Sequence, residues 1–477
     1  MKRVFKAHPL MIFSIIKPFL PLLLIPVVRG VIQYIKDGQV TQILGAEMLL
    51  FGGSVLFATA RWYFFRLHCH DNYVTVRDGI FIIRKAAIPI GGLSSVQSDQ
   101  NPLDYIFGCV TFRINTEAGS RTKTDYSFKL SRKDAHAVSH LLYGTKEGEP
   151  VRFSPVKIAI LAAATSSAFT GLLVGVPILN SIARLTGRGV NEVLEQINSV
   201  SNTFQTHFPP IVNTVTFILL CSFAISFIYS FVRYLKFRIY LNDDRVEVRS
   251  GLLVKLRTSF KKSSINNVKI EQTWLMKFLK RYSMKVNVGG FGEAKSESQL
   301  LVPCGKYEEI KEMFGDYFPF LRVSGKSIKS KVGAVHLNRY FFWAEIFMLI
   351  LLTIALILGL RFEEFGRLIA FMTVVLGLII LYYTYLCHNE YKYCQVSFGK
   401  TVYARGKKGL RKCRFYCPKE KVGEIKLYRY PLDPIYKTCN IRIITRSETA
   451  DNLLVRHLDY EETKKEIFEC FGITNQT

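Results

Sequence analysis

At 477 residues, 49% of them hydrophobic and 13% aromatic, the chain can hold several folded domains and is too apolar for a disordered tail. Its 64 Lys and Arg against 37 Asp and Glu give a formal charge of +27, which excludes a cationic partner and points to nucleic acid or an anionic lipid surface. Ten cysteines without one CxxC pair exclude a zinc ribbon.

Six apolar stretches of about 20 residues come in pairs: 10–28 with 46–65, 156–177 with 210–232, and 340–360 with 367–386. That length crosses ~30 Å of hydrocarbon as a helix, and 346–360 and 368–386 show no polar face. The first stretch is the weakest, because it holds Lys17 and prolines at 18, 21 and 26. Lys17 is the deepest charge, with Glu47 and Glu345 near span ends as carboxylates that could answer it. The N-terminus lacks the small-x-small cleavage site of a signal peptide. The short links between paired stretches carry six basic residues: Arg29, Lys36, Arg184, Arg188, Arg361 and Arg367. The positive-inside rule then puts both termini and the three large segments in the cytoplasm.

A strand-rich block follows each pair. Residues 72–84 turn at Asp78-Gly79, 238–260 at Asn242-Asp243 and near Ser250-Gly251, and 393–417 at Gly399 and over 406–409. Asn, Asp and Gly supply the positive φ such hairpins need. Each block then carries one ungapped template of 25 residues: GLSSVQSDQNPLDYIFGCVTFRINT (92–116), SINNVKIEQTWLMKFLKRYSMKVNV (264–288) and KVGEIKLYRYPLDPIYKTCNIRIIT (421–445). Apolar columns align at Val96, Val268 and Ile425 and at Ile114, Val286 and Ile443; Gln100 aligns with Gln272, and Arg429 takes the third place. Each copy reads as strand, helical turn, strand, and a spacing above 150 residues means repeated domains rather than a solenoid. A short amphipathic helix closes each block. Residues 131–142 start behind a Ser cap; 306–314 turn Ile310, Met313 and Phe314 inward; 459–471 start behind an Asp cap and turn Ile467, Phe468 and Phe471 inward.

The expected architecture is a multi-pass α-helical membrane protein with six spans in three hairpins (1–66, 153–234 and 336–387). These alternate with three cytoplasmic β-barrel or β-sandwich modules (67–152, 235–322 and 388–477), each closed by a C-terminal helix.

The run Leu93-x-x-Val96-x-x-x-Gln100-x-x-Leu103 recurs as Ile265-x-x-Val268-x-x-x-Gln272-x-x-Leu275 behind the hairpin at 242–253. This pattern resembles the bacterial pleckstrin-homology-like (PH-like) domain of the bPH2, or DUF304, type. Three such modules on six spans look like the YdbT-type bacterial membrane proteins. The third block departs from the pattern at Arg429, and at Lys437 where the first has Gly108. The resemblance implies a PH-like fold in each module, a cell-membrane location and no catalytic residues. It also implies a link to tolerance of membrane-active peptide bacteriocins, and a smaller single-module PH-like membrane protein as partner.

The residues themselves show little chemistry. There is no HExxH and no GxSxG, and 324–327 lacks the upstream glycine of a phosphate-binding loop. His68 and His70, beside Cys69 and Asp71, read as an interfacial pair at a helix exit, and Cys413 and Cys417 read as small residues on a strand. We therefore expect a non-enzymatic protein with no cofactor and no metal. The candidate contacts are two basic hairpin tips: Lys255, Arg257, Lys261 and Lys262 in the second block, and Arg405, Lys407, Lys408, Arg411, Lys412 and Arg414 in the third. Beside a membrane, anionic lipid headgroups are a nearer counter-charge than nucleic acid. Residues 190–200 place Val190, Val193, Leu194, Ile197 and Val200 on one helical stripe, which either packs on the span bundle or lies in the interface plane, and which is the natural contact if the protein senses an external amphipathic peptide. The expected role is a membrane protein with cytoplasmic binding modules in envelope stress or tolerance of membrane-active peptides. A transporter accessory subunit, or a scaffold for another membrane protein, is the alternative.

Overall fold

The computed structural model describes residues 3–17, 44–70, 72–116, 126–143, 149–167, 210–252, 255–288, 299–323, 325–330, 334–361, 366–408, 410–430, 433–446 and 453–472. Within them one order of elements occurs three times. In the first repeat β1 (Arg3–Lys6) leads into α1 (Leu10–Ile16) and α2 (Leu44–Phe64). Then come β2 (Arg66–Cys69), β3 (Tyr73–Asp78), β4 (Arg84–Pro89), β5 (Leu93–Gln100), α3 (Pro102–Ile106), β6 (Cys109–Thr116), β7 (Tyr126–Ser131) and α4 (Arg132–Tyr143). The second repeat runs β8 (Pro150–Arg152), α5 (Pro155–Thr165), α6 (Pro210–Tyr234), β9 (Arg238–Leu241), β10 (Arg245–Ser250), β11 (Lys255–Lys261) and β12 (Ile265–Gln272). It ends with α7 (Trp274–Phe278), β13 (Tyr282–Val288), β14 (Gln299–Gly305) and α8 (Tyr307–Gly315). The third runs β15 (Ser327–Lys329), α9 (Ala334–Arg361), α10 (Gly366–Tyr393), β16 (Gln395–Ser397), β17 (Thr401–Lys408), β18 (Arg411–Pro418) and β19 (Val422–Tyr428). It closes with β20 (Thr438–Thr445), β21 (Leu453–Asp459) and α11 (Tyr460–Phe471).

The chain divides into two compact units that cut through the second repeat. The first unit (Met1–Pro155, Ile228–Ser264 and Gly289–Ala294) holds an antiparallel sheet β1-β2-β3-β4 and a seven-stranded sheet β7-β6-β5-β11-β10-β9-β8. The second unit (Val156–Phe227, Ile265–Val288 and Lys295–Thr477) holds β14-β13-β12-β18-β17-β16-β15 and β19-β20-β21. Each seven-stranded sheet therefore joins the last three strands of one repeat to the first four of the next. The two joints share one register. Lys255 lies opposite Gln100 and Ser259 opposite Val96 in the first; Lys412 lies opposite Gln272 and Tyr416 opposite Val268 in the second.

The strand alternation seen in sequence buries one face of each sheet. In the first unit Phe5, Leu67, Val74 and Val76 meet Val96, Phe112, Ile114 and Phe128 under Val138 and Leu142 of α4. In the second, Val396, Val402, Ala404 and Phe415 meet Ile441, Ile443 and Val455 under Ile467 of α11. Each such side chain contributes about 1.5–3 kcal/mol on burial. The caps form as expected: Ser131 Oγ accepts from Asp134 N, and Asp459 accepts from Glu462 N at 2.9 Å.

The repeated motif works locally. Gln100 Nε2 donates to the Cys109 carbonyl at 3.0 Å, and Gln272 Nε2 donates to the Arg281 carbonyl at 3.1 Å. Gly108, Lys280 and Lys437, at one aligned position, all have positive φ (68°, 54° and 50°), so the same left-handed corner opens the second strand of every copy. Asp104 accepts from Lys129 Nζ (2.5 Å) and Thr111 Oγ1 (3.2 Å), and Asp433 accepts from Thr438 Oγ1 (3.0 Å) and Asn440 Nδ2 (3.1 Å). Both aspartates tie the turn to its following strand. Burial pulls the Asp104 carboxyl upward, but the Lys129 and Cys109 hydrogen bonds and the Lys129 charge outweigh it and hold the group below its ordinary value.

The multi-pass helical architecture is corrected. Among the described residues no helix is long and apolar enough to cross a membrane. Of the stretch 10–28, α1 accounts for seven residues, and of 156–177, α5 accounts for ten. At 1.5 Å per residue these are about 10 and 15 Å long, against ~30 Å of hydrocarbon. The four longer helices, α2, α6, α9 and α10, run 21, 25, 28 and 28 residues. They carry exposed apolar side chains such as Leu349, Leu356 and Leu378. Segments just ahead of the first and third apolar pairs are strands: Arg3–Lys6 is β1, paired with β2, and Ser327–Lys329 is β15, paired with β16. The remainder of 10–28 and 156–177, and the stripe at 190–200, lie outside the described residues, as do the side chains of Glu47 and Glu345.

Smaller expectations also shift. His68 sits within β2 rather than at a helix exit, and His70 stacks on Tyr73 with ring centroids 4.2 Å apart. Arg61, placed at a span edge by sequence, pairs with Asp78 at 2.6 Å and ties α2 to β3. Met313 is 41% exposed, while Ile310 and Phe314 are buried. Gly406 lies inside β17, which runs on until Lys408 faces Arg411.

Candidate anion-binding site

Antiparallel pairing lines up side chains from neighbouring strands on one face. In the first joint Arg238 lies opposite Arg249, Arg249 opposite Arg257, and Arg257 opposite Ser98. Three arginines thus stand side by side on adjacent strands, where like charges repel. Two residues along the strands, Tyr240, Glu247 and Ser259 form the next row on the same face. Lys255 and Gln100 form the row on the other side.

The arginine row, the Lys255–Gln100 row and Tyr240 floor a cavity of about 450 Å³ within the first unit, walled by Arg132, His136 and Ser139 of α4 and by Lys236, with Glu247 and Ser259 outside its lining. Arg132, Lys236, Arg238, Arg249, Lys255 and Arg257 all line it. Glu247 is the acid in this face. Its carboxylate accepts from Arg257 Nε (2.5 Å) and Nη2 (3.0 Å) and from Arg249 Nε. Arg249 also lies over the Tyr240 ring, 4.4 Å from its centroid. Ser250 also lines the cavity, and its buried Oγ has no hydrogen-bond partner among the described residues. Arg132 Nη2 is held by the Tyr105 carbonyl at 2.6 Å, and Lys236 sits at φ 58° where α6 turns into β9.

The second joint has the same rows with different chemistry. Arg405 lies opposite Arg414, but Tyr403, paired with Tyr416, stands where Glu247 pairs with Ser259. Rings take up the cations: Arg405 lies 3.7 Å and Lys412 4.8 Å from the Tyr393 centroid, and Arg414 lies 3.8 Å from that of Tyr307. Tyr307 and Tyr416 share a 2.8 Å hydroxyl–hydroxyl hydrogen bond. Burial, then the charges of Lys277, Arg405, Lys407 and Arg414, pulls the Lys412 ammonium below its ordinary value.

Of the sequence-selected contacts, Lys255 and Arg257 therefore line the cavity. Lys261 donates to the Gly91 carbonyl instead, and Lys262 opens the 3-10 turn after β11. Arg405, Lys412 and Arg414 are drawn onto tyrosine rings. Lys407 faces Lys412 across the β17–β18 hairpin, Arg411 is exposed at its end, and the Lys408 side chain lies outside the described residues. Sequence reasoning missed Arg132, Arg238, Arg249 and Lys236, which line the cavity. The usable signal was the alternation Arg245-x-Glu247-x-Arg249, which puts all three residues on one strand face.

Among the described residues no group of His, Cys, Asp and Glu is arranged to hold a metal ion. Cys417 Sγ donates to the Asn266 carbonyl at 3.4 Å, and burial pushes its thiol up to about 12.

No curated protein matches the chain. The family model of the bacterial PH domain (bPH_2) matches residues 13–146 and 160–315, more than half of the chain. Those stretches contain β2 to α4 and β9 to α8, and β16 to α11 repeat the same strand order beyond them. The chain therefore belongs to the bacterial PH domain family.

Proposed function

We propose that the protein is a non-enzymatic binding protein whose first joint takes a phosphate-bearing anion, presented by an anionic lipid headgroup at the cytoplasmic membrane surface. The observation that carries this reading is the Arg238, Arg249 and Arg257 row, set across three adjacent strands around a cavity, with Glu247 paired to Arg249 and Arg257 behind it. Guanidinium groups hold phosphate oxygens in bidentate fashion. A phosphate anion would relieve the repulsion that the fold maintains in its absence. Tolerance of membrane-active peptides is the physiological role proposed with it. Deletion of the gene followed by challenge with such peptides tests that role.

The binding test uses the full-length protein and vesicles of phosphatidylglycerol in phosphatidylcholine, with glycerol phosphate as a soluble competitor. Binding should fall at least tenfold in Arg238→Gln and in Lys255→Gln. Competition by glycerol phosphate assigns binding to the headgroup phosphate. Equal binding by the variants, or tighter binding to an oligonucleotide than to the vesicles, overturns the reading.

A further inference from the structure

The joint between repeats is made twice within the chain, and the same rule leaves two strands open on one edge among the described residues. β5 pairs with β11 and β12 with β18. The equivalents at the two ends of the series are β4, which takes the place of β11 and β18, and β19, which takes the place of β5 and β12. Among the described residues β4 and β19 are edge strands.

Burial shows what each edge lacks. Along β11 and β18 the six aligned residues 256–261 and 413–418 share one pattern, with three consecutive positions buried. Ser259 and Tyr416 are fully covered there, whereas the aligned Ala87 of β4 is exposed. On the other partner, Ser95 and Asn267 are buried at the joint, whereas the aligned Glu424 of β19 is exposed. Val422 and Ile425 are partly covered where Leu93, Val96, Ile265 and Val268 are buried. The flanking surfaces also match. The hairpin tip before β4 exposes Phe81 (90%), Ile82 (74%) and Ile83 (48%), and the turn after β19 exposes Tyr430 (56%) and Ile435 (71%). In the first joint the residue aligned with Ile83 is Lys255, which lies over Tyr105, the residue aligned with Pro434. The two end surfaces thus exchange a cation–ring contact for an apolar one.

We propose that β19 of one copy pairs antiparallel with β4 of a second copy, in the register of the two internal joints. The partner is a second copy of this chain because the edges are the two halves of a joint that this sequence already encodes twice. The contact is heterologous, head to tail. The shared register sets Lys85 opposite Leu427, as Arg257 lies opposite Ser98, and sets Ala87 opposite Ile425.

The test mixes two full-length variants, Lys85→Cys and Leu427→Cys, under mild oxidation. Directly opposed residues on paired strands lie within disulfide reach. A reducible covalent dimer should form in the mixture at least fivefold above either variant alone. The partner of the control mixture, Tyr428→Cys, points to the opposite sheet face, so its yield should stay at background. Absence of the 85–427 dimer overturns the proposal, as does an equal yield from 85 with 428. A dimer that forms only with a separate single-module PH protein overturns it too.

Discussion

Replacing Glu247 by Gln should weaken the empty fold and strengthen anion binding at once. The carboxylate is 10% exposed and is the shared acceptor for Arg257 and Arg249, whose side chains are 28% and 29% exposed. Removing one partner of a buried ion pair costs about 3–5 kcal/mol; the partial exposure of the arginines reduces this to about 2 kcal/mol. A phosphate in the cavity sits on the order of 5–6 Å from that carboxylate, where two unit charges repel by about 3 kcal/mol at an effective dielectric near 20. Salt and rearrangement halve this, leaving about 1.4 kcal/mol, or roughly tenfold in affinity. Titration calorimetry with glycerol phosphate on full-length wild type and Glu247→Gln reads the affinity. Thermal melts with and without the ligand read the stability. Weaker or unchanged binding by Glu247→Gln would refute an anion site built on these arginines.

Lys437→Gly removes a left-handed lysine and should raise stability by about 1 kcal/mol, read as a later denaturation midpoint; a loss of stability would contradict the shared corner at 108, 280 and 437. Gln100→Ala strips the Cys109 carbonyl of its side-chain donor and should cost about 1–2 kcal/mol, with faster amide exchange in β6; unchanged exchange would count against it. Asp104→Asn tests the depressed carboxyl. A group held below its unfolded value stabilises fully above that value and loses the contribution as pH falls through its folded value. The deficit of Asp104→Asn, about 2 kcal/mol at pH 7, should therefore shrink below pH ~4; a gap unchanged at pH 3 would contradict the Lys129 pairing.

What was legible in the sequence was local. The aligned Gln100 and Gln272, the Ser131 and Asp459 caps and the Asp78-Gly79 hairpin all act within about ten residues, so spacing alone exposes them. The strands that precede each helical segment were invisible: β1, β8 and β15 have three or four residues, too few for a period of two to register. The joints were invisible as well, because β11 meets β5 across more than 150 residues and no local pattern names a strand's partner. The binding face followed from the joint. Arg238, Arg249 and Arg257 become neighbours through pairing, and only Arg257 stood in a run of basic residues. The six-span expectation rested on apolar length. It was overturned because, among the described residues, no helix combines the length and the apolarity that a membrane crossing needs.

The most direct measurement is a structure of the full-length protein soaked with tungstate, a tetrahedral oxyanion that reports itself by anomalous scattering. A peak should stand within hydrogen-bond distance of Arg238 and Arg257, between β9, β10 and β11. An empty cavity with peaks on the exposed β17–β18 tip, or a structure in which β11 does not pair with β5, contradicts an anion site built where two PH repeats join.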